Sequence, residues 1–116
     1  MIDWTRLDEL RDDLGAETLV DLVDVFLAES DEIAERMDAA EPAGVLADRF
    51  HALKGAAANL GLSHVATLCN AAEDAARSSG AAGGDLGRRI ADIKDAYGAA
   101  RIALVEGMQQ RYGPGA

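Results

Sequence analysis

Two histidines and one cysteine are the side chains of this sequence best suited to covalent chemistry. The more informative histidine sits in the run Arg49-Phe50-His51-Ala52-Leu53-Lys54-Gly55-Ala56-Ala57-Ala58-Asn59-Leu60-Gly61. Imidazole is a competent nucleophile at neutral pH and can accept a phosphoryl group. The product needs a nearby cation, which Lys54, one helical turn along, can supply. It also needs room for a donor, and Gly55 and Ala58, at i+4 and i+7 from His51, shave the same helical face. A glycine inside a helix costs about 1 kcal/mol against alanine. Gly55 therefore asks for a reason, such as the close approach of another backbone.

Other chemistries fit less well. His51 and His64 fall on different helices, and no carboxylate or thiol at ligand spacing completes a metal site. Cys69 has no Cys-His signature around it and reads as a buried bundle cysteine; a small thiol-dependent hydrolase is the enzymatic alternative. No glycine-rich phosphate loop precedes Lys54-Gly55, which leaves no place for ATP. From Arg49 to Ala72 there is no Asp or Glu, while Arg49 and Lys54 contribute +2; with a total of −10, the rest of the chain carries −12. Such a window suits an anion or an acidic partner. It equally suits a helix that is largely buried.

These residues need elements to hold them. At 116 residues the chain fits one domain, and its charge of −10 argues against nucleic acid, which calls for a cationic face. Of the apolar residues 24 are alanine and only 5 are aromatic, a composition that favours helix over strand. The fold class is all-α. No apolar run approaches the roughly 20 residues needed to cross a bilayer, the acidic N-terminus is unlike a targeting peptide, and one cysteine cannot form an internal disulfide. A cytoplasmic protein is expected.

Periodicity predicts a short helix over 3–14 with Trp4, Leu7, Leu10 and Leu14 on one stripe and Asp3 as N-cap. A second is predicted over 16–40, with Leu19, Leu22, Val23, Phe26, Ile33 and Met37 inward and Val20 and Leu27 widening the stripe. Part of that stripe can stay open for a partner. Glu41-Pro42 stops it. A third, over 43–60, carries the seam Leu46, Phe50, Leu53, Ala57 and Leu60, and Gly61 ends it. Ser63 is the expected N-cap of a fourth, reaching Ser78, with Val65, Leu68, Ala72 and Ala75 inward. A flexible loop over 78–84 then leads to a last helix capped by Asp85, with Leu86, Ile90, Ile93, Tyr97, Ala100 and Leu104 inward. Short connections imply an antiparallel up-and-down four-helix bundle with a short N-terminal cap helix. The bundle is expected over 1–112 and a flexible tail over 113–116, and the whole reads as a complete small protein.

The stretch from His51 to Gly61 resembles the signature of the histidine-containing phosphotransfer (HPt) domains of bacterial two-component phosphorelays: His-x-x-Lys-Gly, a run of small residues, then a glycine. The likeness continues through Leu62, Leu68 and Cys69 to Glu73, and the helix layout agrees over nearly the whole chain. It implies that His51 receives a phosphoryl group at Nε2 from a receiver-domain aspartate and passes it to another receiver. Glu73, where relatives carry Gln or Glu, would hold the Nδ1 proton and fix the tautomer; the competing view is an ordinary solvated helix face. Arg77 is similar to a basic residue that some relatives use near the phosphate, and Lys54 would steady the product. Gly55, Ala58, Asn59 and Gly61 would meet the partner, with Asn59 and His64 structural or docking residues. The resemblance also implies a monomeric phosphoryl carrier rather than an enzyme. It would have no cofactor or metal of its own, and Mg²⁺ would reside on the partner, a receiver domain of a response regulator or hybrid kinase. The rival of a different class is a helical adaptor or dimerisation module that binds through an apolar face and carries no phosphate.

Overall fold

A computed structural model describes residues 2–78 and 83–113. The described chain is all-helical: α1 (Trp4–Leu14), α2 (Ala16–Arg36), α3 (Ala43–Asn59), α4 (Ser63–Arg77) and α5 (Gly83–Tyr112). Helix α2 packs on α1, α3 and α5, and α4 packs on α3 and α5. Asp48 reaches Arg77, His51 reaches Glu73 and Lys54 reaches Asn70. Rising numbers on α3 thus meet falling numbers on α4, so the two helices run antiparallel.

Helix α3 sets the rotation of the site. Leu46, Phe50, Leu53 and Leu60 are fully buried and Ala57 nearly so, as the sequence predicts. Burying each large side chain is worth about 1.5–3 kcal/mol, and a one-residue rotation of about 100° would forfeit that. The seam therefore holds Ala52, Gly55, Ala58 and Asn59 outward together with His51, all of them exposed.

Gly61 ends α3 with φ +74°. Its N–H donates to Ala58 O at 3.2 Å, and the Leu62 N–H donates to Ala57 O at 2.8 Å, which together satisfy the orphan carbonyls of the last turn. The same joint is pinned by the N-terminus, because the Asp3 N–H donates to Gly61 O at 2.7 Å and Ile2 pairs with Leu62 in an isolated antiparallel bridge. The Asp3 carboxylate also caps α1, accepting from the Arg6 N–H at 3.3 Å.

Several boundaries differ from the sequence reading. Helix α2 stops at Arg36 rather than Ala40 because Asp38 turns the chain. Its side chain accepts from the Ala40 N–H at 2.9 Å, and its own N–H donates to Glu41 Oε1 at 3.2 Å. Ser63 is the first residue of α4 rather than its N-cap; buried Leu62 takes that position with no side-chain cap. The last helix starts at Gly83, so Asp85 lies in its first turn and pairs with Arg89 instead of capping. Leu14 is exposed, one turn beyond where α1 rests on its neighbours.

On α2 the buried stripe runs Leu19, Val23, Leu27, Ser30, Ala34. Leu27 is thus core, Leu22, Phe26 and Ile33 are half-buried, and Val20 is exposed. On α4 Val65, Cys69, Ala72 and Ala76 are buried, with Leu68 and Ala75 half-buried. Ala100 is likewise half-buried on α5. A polar staple joins α2 to α5, where the Tyr97 hydroxyl and the Arg101 guanidinium both donate to Asp31. Residues 79–82 of the expected flexible loop and 114–116 of the expected tail lie outside the described residues.

Candidate functional site

The exposed row on α3 meets one buried acid. Glu73, on the facing side of α4, is only 7% exposed, unlike the solvated helix face that was its alternative. Its carboxylate gathers three partners across the α3–α4 seam. Lys54 Nζ donates to Oε1 at 2.7 Å, Arg77 Nε donates to Oε2 at 3.1 Å, and His51 Nδ1 lies 3.2 Å from Oε1 and 3.1 Å from Oε2. Buried carboxylates persist only where they are paired and hydrogen-bonded, and here both oxygens are.

The Lys54 ammonium, then Arg77 and His51, hold the Glu73 carboxyl down at about 2 against the opposing effect of burial. It is therefore ionised at neutral pH, and an ionised carboxylate only accepts hydrogen bonds. The nitrogen facing it, Nδ1, must carry a proton. In the neutral ring the lone pair then belongs to Nε2. His51 is 65% exposed at its side chain, and no hydrogen bond to Nε2 forms among the described residues. The arrangement holds the imidazole by its Nδ1 edge and leaves the rest of the ring exposed, a geometry in which an imidazole can act as a nucleophile.

Two residues that the sequence did not single out complete the cluster. Lys54 Nζ also donates to Asn70 Oδ1 at 3.3 Å, and the Arg77 guanidinium reaches Asp48 Oδ1 at 3.4 Å. Their sequence signal is helical spacing: Asp48 precedes His51 by three residues, and Asn70 precedes Glu73 by three. An ammonium has three donors and a guanidinium five, so Lys54 and Arg77 both retain N–H groups beyond those bonds.

The excess positive charge of the 49–72 window disappears in three dimensions. Arg49 forks onto Glu41 at 2.6–3.0 Å, and Lys54 pairs with Glu73. Each guanidinium gains from its carboxylate: Arg49 and Arg77 are raised by Glu41 and Glu73 respectively.

The remaining expected site residues separate. Gly55, Ala58 and Asn59 are exposed beside His51. A Cβ added to Gly55 would meet nothing within 4 Å among the described residues beyond its own helix backbone, so no other described segment approaches it. Gly61, grouped with them on sequence, is buried instead; its Cβ would come within 2.8 Å of Asp3 O. It is a joint of the fold, set apart from the exposed row. His64 is exposed on another surface, in a cleft with Asp92 and Asp95. Cys69 is fully buried, and burial pushes its thiol up to about 12. A group so protonated and enclosed is not a nucleophile, which removes the thiol-hydrolase alternative. Among the described residues no three His, Cys, Asp or Glu side chains gather as a metal site, and no helix is long and apolar enough to cross a membrane.

A protein-family model, the Hpt domain, matches residues 21–106, a stretch that holds α3, α4 and every member of the cluster. The chain belongs to the Hpt domain family. No curated protein and no solved structure matches it. Hpt domains are phosphocarrier modules of phosphorelays without a kinase site of their own, and their partners are receiver domains. Membership thus gives this helical domain a role in histidine phosphotransfer.

Proposed function

We propose that this Hpt domain is a phosphorelay intermediate in which His51 takes a phosphoryl group from a receiver-domain aspartate and hands it to a second receiver. The observation that carries the reading is the His51–Glu73 pair: a carboxylate at Nδ1 favours the proton there, which supports Nε2 as the free, exposed nitrogen. In the forward step that lone pair attacks phosphorus. The Nε2–P bond forms as the P–O bond to the aspartate breaks, and the aspartate carboxylate leaves with the electron pair. Positive charge that develops on the ring lies against Glu73. Lys54, with a donor to spare, steadies the phosphoryl oxygens, and Arg77 is within reach of the same cluster. Mg²⁺ on the receiver supplies charge neutralisation at the donor. Return of the group to another aspartate is the same step reversed.

The surface around His51 supports docking of a receiver. Ala52, Gly55, Ala58 and Asn59 present little bulk, and open space at Gly55 gives its mid-helix glycine a reason that lies in the partner. A shallow depression of about 260 Å³ between α2 and α3, lined by Ile33, Val45, Asp48, Arg49 and Ala52, adjoins the row. The reading includes a monomeric, cytoplasmic carrier with no cofactor of its own. It also includes an up-and-down antiparallel bundle of α2–α5 with α1 across one end, a topology supported by the pairwise packing of those helices and by Trp4, which rests on Gly107 of α5.

The test is to incubate the protein with a phosphorylated receiver domain and Mg²⁺ and read intact mass and acid lability, with His51→Gln alongside. One acid-labile phosphoryl group on the wild type and none on the variant is expected. Phosphate retained by His51→Gln would overturn the assignment, and no phosphate from several unrelated receivers would favour the adaptor reading.

A further inference from the structure

Helix α2 and the last turns of α5 enclose a groove of about 660 Å³ that shares no residue with the His51 cluster. Its apolar floor and walls include Met108, Val20 and Val105, the two valines being 38% and 44% exposed. Along one rim stand Glu17, Asp21 and Asp24, spaced four and three residues apart and hence on one helical face. Among the described residues the groove has no basic residue in its lining. Among the described residues none of these three acids makes an ion pair, so the charge of the rim is not offset within this chain.

We propose that this groove docks a basic amphipathic helix of a partner protein. A trough between two helices accepts the apolar stripe of a third, and the unneutralised rim selects Lys and Arg beside that stripe. Charge decides against the other occupants. A second copy related by symmetry would set the same three carboxylates against themselves in chains of −10 each. Anionic lipid and nucleic acid meet the same repulsion. Most of the lining, including Glu17, Val20 and Met108, falls outside residues 21–106. The groove shares no lining residue with the His51 cluster, so its occupation leaves the His51 face free.

The probe is a synthetic helix of about 18 residues, five turns, with leucines on one face, Lys and Arg along its flanks and no aromatic residue. The protein's single tryptophan, Trp4, lies 6.5 Å from the ring of Tyr112, which lines the groove, so its fluorescence reports occupancy. Saturable binding is expected, with NMR shifts centred on Val20 and Val105. The double variant Val20→Gln/Val105→Gln, equal in charge to the wild type, should bind about tenfold more weakly or worse, and so should Glu17→Gln/Asp21→Asn/Asp24→Asn. Thermal melts establish that both variants are folded. Absence of binding overturns the proposal. So does an affinity unmoved by the valine changes, which would signal bare charge attraction, or a dimer that sediments without peptide and buries the groove.

Discussion

Gly55 allows fold and function to be pulled apart by two substitutions at one position. It lies inside α3, four residues after His51, and a Cβ there would touch nothing within 4 Å among the described residues beyond its own helix backbone. Alanine therefore brings its helix preference of about 1 kcal/mol with no packing cost to set against it. For a chain of this length the unfolding entropy is about 0.24 kcal/mol per kelvin, so Gly55→Ala should raise the melting temperature by about 4 °C. Glutamine is also a good helix former and should retain most of that gain. Its longer side chain, however, projects from the row that a receiver must approach. Gly55→Gln is expected to melt above the wild type and yet accept phosphate from a receiver at least about tenfold more slowly, a loss of roughly 1.4 kcal/mol in the transition state. Calorimetry and a timed transfer assay read the two effects separately. A melting temperature that falls in Gly55→Ala would refute the open-space argument, and normal transfer by Gly55→Gln would refute the docking face.

Three further outcomes follow from the same geometry. Glu73→Gln should slow transfer by up to about tenfold, because both carboxylate oxygens already serve cations and an amide must turn its NH₂ toward Lys54 or Arg77; an unchanged rate would return Glu73 to a structural role. The Glu73 carboxyl titrates at about 2 in the fold against 4.5 ordinarily. Its stabilisation is thus fully present above about pH 4.5 and lost as pH falls toward 2. Denaturant melts of wild type and Glu73→Gln should differ at neutral pH and converge over that window, and a gap independent of pH contradicts the assignment. Gly61→Ala should have the opposite sign to Gly55→Ala. Left-handed strain of about 1–2 kcal/mol and a lost Asp3–Gly61 hydrogen bond of about 1 kcal/mol lower the melting temperature by roughly 8–12 °C. A melt within a degree or two of wild type would mean that the joint tolerates a side chain.

The sequence by itself determined the helices and the face of α3 on which His51 stands. Alanine content and the 4, 3, 4, 3 spacing of Leu46, Phe50, Leu53, Ala57 and Leu60 fix which face of α3 is buried, and that alone sends His51, Gly55 and Ala58 to the surface. Helix ends were legible where backbone chemistry is strong, at Gly15, Pro42 and Gly61, because positive φ and a missing N–H act locally. They were less legible at Met37 and Leu62, where an Asx turn at Asp38 and a bridge to Ile2 decide.

Only the tertiary structure decided which charges meet. Arg49 and Lys54 read as free cations because their acids, Glu41 and Glu73, lie 8 and 19 residues away along the chain. Asp48 and Asn70 became visible as members of the site for the same reason. Gly55 and Gly61 are equivalent letters six positions apart, but one faces open space and the other a backbone oxygen. Periodicity reports the direction of a side chain around its own helix. The neighbour it finds there depends on how α4 is set against α3, and that setting turns Glu73 from one acid among many into the carboxylate that meets His51 Nδ1.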